Sequence, residues 1–288
     1  MSEIYTSEEG ARLIERRYRE LLDAWPVPHE RLRIPTREGE TFVVASGPRG
    51  APAVVLLHGS MTNAVIWMGE VRTWAQDFRV YAVDLIGEPG LSAPSRPPLA
   101  SDAYAGWLDD VLEGLGVTSA SFVGASLGGL LAVDYATRRP ERVERLALLA
   151  PAGIGRQKFG VLLAVLPLLL FGPPGVRAGM RLFLGRPPET VPAAEIRKYR
   201  EYLLLVQRHF RPRRTLPVLD DHALRRLTMP VLVIAGARDA VLDSQGTQRR
   251  LAKTAPHATV RLLPGVGHFP AGQAAPVLDF LRPVLTKS

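Results

Sequence analysis

Ser126 stands in the run FVGASLGG (122–129), where three glycines crowd one hydroxyl. Gly124–Ala125–Ser126–Leu127–Gly128 has the spacing G-x-S-x-G. An apolar, strand-like run precedes it and a helix-like run follows. The chain must turn sharply between the two, and glycines at 124 and 128 leave room for a strained serine. A serine hydroxyl is a weak nucleophile until a base takes its proton and an acid orients the base. The chain has six histidines. His268 lies in PGVGHFP, a glycine-flanked loop after the last strand, where an imidazole can be aimed at a sheet edge. His29 falls near the N-terminus, His209 and His222 fall in an insert, and His257 precedes a strand at the opposite edge. His58 reads as a structural hydrogen-bonder. Asp239, in VLVIAGARDAV, leaves a buried strand at the required edge and is the expected acid. Asp243 sits where the next helix would be capped. Asp84 reads as ordering the loop LIGEPGLS and is the alternative acid. The constellation is therefore Ser126, Asp239 and His268, which is nucleophilic acyl-transfer chemistry.

The elements that must position these residues follow from the pattern of apolar runs. Residues 53–57, RVYAVDLIG, SASFVG, RVERLALLAP, MPVLVIAGARDAV and ATVRLLPGVGH read as strands, several of them apolar throughout. Such runs suit strands buried on both faces. Helical segments alternate with them, including 243–254 and 273–285. This predicts an α/β fold with a mostly parallel central sheet and helices on both faces. RLRIPTREGETFVVASG reads as two short strands joined at Glu38–Gly39. Thr6 and Glu9 fit a capping box for an N-terminal amphipathic helix over about 6–25, with Leu13, Ile14, Tyr18, Leu21, Leu22 and Trp25 on one face. The strand–helix rhythm breaks at 153–226, which reads as a helical cap or lid inserted into a core formed by 1–152 and 227–288. Leu162, Leu166, Leu169 and Phe171 of that insert, with Met61, Trp67 and Phe269, are candidate walls of an apolar substrate pocket.

Composition narrows the remaining classes. Hydrophobic residues make up 47% and charged residues 22% of the 288, as in a soluble globular chain. The absence of cysteine removes disulfides, zinc–thiolate sites and a thiol nucleophile, and is compatible with a cytoplasmic protein. The N-terminus lacks the basic-then-apolar order of a signal peptide. The positive charge concentrates in 153–226, with fourteen Lys/Arg against five Asp/Glu. Interleaved with proline and leucine and without a nucleic-acid motif, it reads as a solvated face, so no nucleic-acid partner is expected. Contact of the insert with an anionic membrane surface, through Arg156, Lys158 and Arg177, is the alternative.

The motifs LLHGS (56–60), VDLIGEPGLS (83–92), GASLGG (124–129), GARD (236–239) and GVGHF (265–269) together resemble the α/β-hydrolase superfamily, nearest to its bacterial carboxylesterase-type members. The resemblance implies an oxyanion hole built from the backbone N–H of Leu127 and that of Ser60 or Met61. Many relatives carry D-x-R-G-x-G-x-S where this chain has Ile86–Gly87–Glu88–Pro89–Gly90, a departure beside the pocket. The expected activity is hydrolysis of carboxylic esters of small to medium apolar substrates through an acyl-enzyme, with no metal or organic cofactor. Ser126 argues against dehalogenases and epoxide hydrolases, which carry aspartate at that position. C–C bond hydrolases of ring-cleavage diketones, and a binding protein that keeps the three residues, are the alternatives.

Overall fold

A computed structural model describes residues 4–158 and 193–282, with positions 160, 167, 171, 174–175 and 178–179 between them. Eight strands form one sheet: β1 (His29–Thr36), β2 (Gly39–Ser46), β3 (Ala53–Leu57), β4 (Arg79–Val83), β5 (Ala120–Ala125), β6 (Val143–Leu149), β7 (Val231–Gly236) and β8 (Thr259–Leu263). Their order is β1-β2-β4-β3-β5-β6-β7-β8. β1 and β2 are antiparallel to their neighbours and the strands from β3 to β8 are parallel. The β1–β2 turn is Arg37–Glu38, and Gly39 (φ +100°) already pairs with Thr36.

The α-helices with bounds among the described residues are α1 (Glu8–Leu22), α2 (Met68–Trp74), α3 (Ala103–Gly114), α4 (Leu127–Arg138), α5 (Ala193–His209), α6 (Asp221–Leu224), α7 (Ser244–Thr254) and α8 (Ala274–Leu281). Successive strand residues point to opposite faces, so each apolar strand feeds two cores. Val55, Leu57, Phe122, Leu146, Leu148, Val231 and Val233 pack with α3, α4, α6 and α7. Val54, Leu56, Val80, Ala82, Val123, Ala147, Leu232 and Ile234 pack with α1, α2, α5 and α8. Among the described residues no helix is long and apolar enough to cross a membrane.

Two local expectations are corrected. The cap of α1 is Ser7, not Thr6: Ser7 is extended (φ −157°) and its side chain accepts the Gly10 N–H, while the Thr6 hydroxyl turns to the His209 carbonyl. The helix stops at Leu22, and Trp25 lies beyond it, buried with its indole N–H on Ser46 Oγ at 3.0 Å. The short α6, inside the span assigned to the insert, packs on the core through Leu224. Leu162, Leu166 and Leu169 lie outside the described residues, as do 283–288.

Candidate active site

The turn at Ser126 is built by β5, α4 and two neighbouring strands. Ser126 takes φ +50° and ψ −111°, a left-handed conformation that a non-glycine residue reaches at about 1–3 kcal/mol of strain. Its backbone is tied down on both sides. The N–H donates to Leu149 at 3.0 Å, and the carbonyl accepts from Leu130 at 3.1 Å and Ala152 at 3.0 Å. A methyl group on Gly124 would come within 2.6 Å of the Gly128 carbonyl, and one on Gly128 would strike the Leu57 carbonyl. The flanking glycines are thus required by contact with fixed backbone.

His268 and Asp239 arrive from adjacent loops after β8 and β7. Ala237 N–H bonds the Leu263 carbonyl at 2.9 Å, and Arg238 N–H bonds that of Val266, also at 2.9 Å. A side chain on Gly236 would strike the Gly267 and Val266 carbonyls. The two loops therefore lie against each other at the carboxyl edge of the sheet, beside Ser126. His268 Nε2 is 3.1 Å from Ser126 Oγ and Nδ1 is 2.8 Å from Asp239 Oδ2. Proton bookkeeping assigns the ring hydrogen to Nδ1, donating to the carboxylate, and leaves Nε2 to accept from the hydroxyl. Asp239 Oδ1 accepts the N–H groups of Val241 (2.7 Å) and Leu242 (3.0 Å). Burial alone would raise its carboxyl. The His268 hydrogen bond and charge, with those two N–H groups, outweigh burial and hold it below the usual carboxylate range. Lys158 Nζ adds a bond to the Asp239 carbonyl at 2.8 Å.

The other acidic and histidine candidates are occupied elsewhere. Asp84 Oδ1 accepts Tyr18 O–H (2.8 Å) and Ala64 N–H (3.0 Å), and Oδ2 accepts Leu91 N–H (2.9 Å). Asp243 caps α7 by accepting Gly246 N–H. His58 is fully buried, donating from Nδ1 to the Gly59 carbonyl and accepting Leu85 N–H at Nε2. Burial pushes it down to about 4, so it is neutral. His257 bonds the Met229 carbonyl at 3.0 Å.

The loop after β3 carries the two candidates Ser60 and Met61. Met61 N–H donates to Glu88 Oε2 at 2.8 Å, whereas the N–H groups of Ser60 and Leu127 have no acceptor among the described residues. Of the pocket candidates, Met61 is half-buried beside this loop and Phe269 is 44% exposed next to His268. Trp67 is buried against Trp74, at 6.0 Å between ring centroids, within the α2 core. Phe171 is 71% exposed. No group of three or more His, Asp or Glu suited to a metal ion occurs among the described residues.

Three connections escaped the sequence reading. Glu88 faces the β3 loop. Asn63 Nδ2 donates to the Pro89 carbonyl (2.9 Å) and meets Tyr202 O–H of α5 (2.5 Å). Residues 156–158 pair with the Asp239 loop, through Gln157 opposite Leu242. The signal for the first was a lone carboxylate in an apolar turn; the others had none.

The alpha/beta hydrolase family model matches residues 54–280. Carboxylesterase YbfK of Bacillus subtilis (strain 168) is 30% identical over 268 residues, covering 91% of this chain and 88% of that protein. The crystal structure of carboxylesterase CesB (YbfK) from Bacillus subtilis superposes with a TM-score of 0.80 at 29% identity, over 95% of this chain and 98% of that one. The crystal structure of naproxen esterase (carboxylesterase NP) from Bacillus subtilis superposes with a TM-score of 0.79 at 28% identity, over 95% and 96%. The family match runs from β3 into α8, and the likeness holds over nearly the whole of each chain; this protein belongs to the alpha/beta hydrolase family.

Proposed function

We propose that the protein hydrolyses carboxylic esters of small to medium apolar substrates through an acyl-enzyme on Ser126. The observation that carries this reading is the relay from Ser126 Oγ to His268 Nε2 and from Nδ1 to Asp239. The naming of its relatives as carboxylesterases supports the ester as the bond cleaved. The apolar rim residue Phe269, beside His268, and half-buried Met61 support an apolar substrate.

In the first half-reaction Ser126 Oγ attacks the ester carbonyl carbon and its proton passes to His268 Nε2. Negative charge gathers on the carbonyl oxygen, where the N–H groups of Ser60 and Leu127 receive it. Each such donor is worth about 3–4 kcal/mol in a site closed to water. Leu127 also opens α4, whose positive dipole end favours the anion. Collapse breaks the C–O bond, and the imidazolium protonates the leaving alkoxide to an alcohol. In the second half a water gives its proton to Nε2 and attacks the acyl carbon; the C–Oγ bond then breaks, Nε2 returns the proton to Ser126 Oγ, and the carboxylic acid leaves. Asp239 holds the ring tautomer and stabilises its charged form in both halves.

A p-nitrophenyl acyl-ester chain-length series tests this, with Ser126→Ala as the blank and a vinylogous diketone as the competing substrate. Wild-type protein is expected to turn over the short and medium esters. The alanine variant should keep the wild-type melting temperature and lose at least about 10³-fold in kcat. Undiminished turnover in the variant, or preferential cleavage of the diketone, overturns the proposal.

A further inference from the structure

The turn at 86–90 holds a carboxyl group for which ester cleavage has no direct use. Glu88 is 2% exposed. Its Oε2 accepts the Met61 N–H at 2.8 Å and the Ser60 hydroxyl at 3.2 Å. Its Oε1 has no hydrogen-bond partner among the described residues. Met61 itself sits at φ +63°, in the left-handed region that a side chain with a Cβ avoids. A residue stays there only when its surroundings over-determine it. The bond from its N–H to a carboxylate is such a constraint, about twice as strong as one to a neutral acceptor. The peptide joining Ser60 to Met61 is planar, so holding the Met61 N–H also fixes the plane that carries the Ser60 carbonyl. The hydroxyl bond fixes the Ser60 side chain as well. Ser60 is thereby held at its carbonyl side and its side chain; the preceding peptide plane, which carries the Ser60 N–H, is held by His58 Nδ1 (2.8 Å) and Thr62 Oγ1 (2.7 Å) on the Gly59 carbonyl, and the N–H itself has no protein acceptor among the described residues.

We infer that ionised Glu88 is a positioning residue for the oxyanion loop: by gripping Met61 N–H and the Ser60 hydroxyl it aims the Ser60 N–H at the substrate carbonyl oxygen, and its protonation relaxes that aim. The inference rests on the serine-hydrolase reading above. Several charged and titratable groups face Glu88. Arg96, from the segment after β4, bonds the Gly87 carbonyl at 2.9 Å. Arg213, after α5, donates to Tyr104 O–H of α3 at 2.8 Å. Tyr104 and Tyr5 both feel the Glu88 charge. Burial pushes the Glu88 carboxyl up, and the Met61 N–H, Arg96, the Ser60 hydroxyl and Arg213 pull it back, leaving it at about 7. The group therefore changes charge near neutrality.

The aim of an oxyanion donor matters in the transition state and little in the ground state, so its loss appears in kcat and not in KM. Glu88→Gln keeps the shape and an acceptor but neither charge nor titration. It is expected to lower kcat about 10- to 100-fold with KM within about twofold. The wild-type kcat–pH profile should show, besides the base ionisation of the relay, a second inflection near 7 that the glutamine variant lacks. Glu88→Asp should restore the inflection and part of kcat. A glutamine variant with wild-type kcat and an unchanged profile overturns the inference. So does a wild-type acid limb that one ionisation describes in full, a result that needs no variant to fold. Wild-type protein without ester turnover overturns the hydrolase reading together with this one, whereas turnover indifferent to Glu88 overturns this one alone.

Discussion

Asp239 uses its two oxygens for different ends. Oδ1 takes the N–H groups of Val241 and Leu242, which fixes the carboxylate on its loop; Oδ2 takes the His268 ring hydrogen. The division makes Asp239→Asn a sharp probe. With its amide oxygen retained by the two backbone donors, the amide NH₂ faces His268 Nδ1 and demands an acceptor there. The ring hydrogen then moves to Nε2, which can no longer receive the Ser126 proton. Size and backbone bonds are preserved, so the melting temperature should stay within a few degrees of wild type. kcat should fall by about 10⁴-fold, as expected of a wrong tautomer. Steady-state kinetics beside a thermal melt checks both halves, and an active asparagine variant would mean that the acid lies elsewhere.

At the scale of elements, the serine turn depends on how closely α4 approaches β3. A Cβ at Gly128 has no space because the Leu57 carbonyl lies in the central sheet and cannot yield. Gly128→Ala should therefore cost about 1–3 kcal/mol or more, the range for overpacking a rigid core. Gly69→Ala in α2 is the control: its Cβ would meet nothing within 4 Å, and alanine is favoured over glycine in a helix by up to about 1 kcal/mol. Urea unfolding of the two variants should move the midpoint in opposite directions; equal losses would refute the contact argument. Most of this architecture was legible in the chain. Continuous apolar runs announced β3, β5, β6 and β7 because a parallel sheet covered on both faces needs nothing polar in its centre. Asp243 announced the start of α7. The start of α1 was misread because Thr6 and Ser7 can both cap, and only the backbone path decides between them. Contacts such as Tyr18 O–H to Asp84 join distant segments and leave no periodic trace. Glu88 was visible only as an odd residue in a familiar loop, since sequence does not say which way a loop carboxylate turns.

For the whole molecule, buried titratable groups make stability vary with pH, among them Glu88, Asp84 and His58, with Glu70 also raised to about 7 by burial. Glu88 is raised from 4.5 to about 7 and Asp84 from 3.8 to about 6, in both cases chiefly by burial. Between its unfolded and folded values each carboxyl is ionised in the unfolded chain but still protonated in the folded one. Stability therefore falls as pH rises through that window and levels off above it. His58 acts oppositely. Burial lowers it from 6.5 to about 4, so the unfolded chain takes up a proton that the folded one refuses, and stability falls as pH drops from 6.5 towards 4. The two trends oppose each other between about 4.5 and 6.5, where His58 offsets only part of the fall that the carboxyls cause. Glu88→Gln separates them, because it removes one carboxyl and leaves Asp84 and His58 in place. Relative to wild type, the glutamine variant should gain unfolding free energy as pH rises from 5 to 8, by on the order of 3 kcal/mol. Urea unfolding of both proteins at the two pH values measures the difference directly. A gap that stays constant with pH would mean that Glu88 titrates alike in both states, and the same result would remove the basis for its control of the oxyanion loop near neutrality.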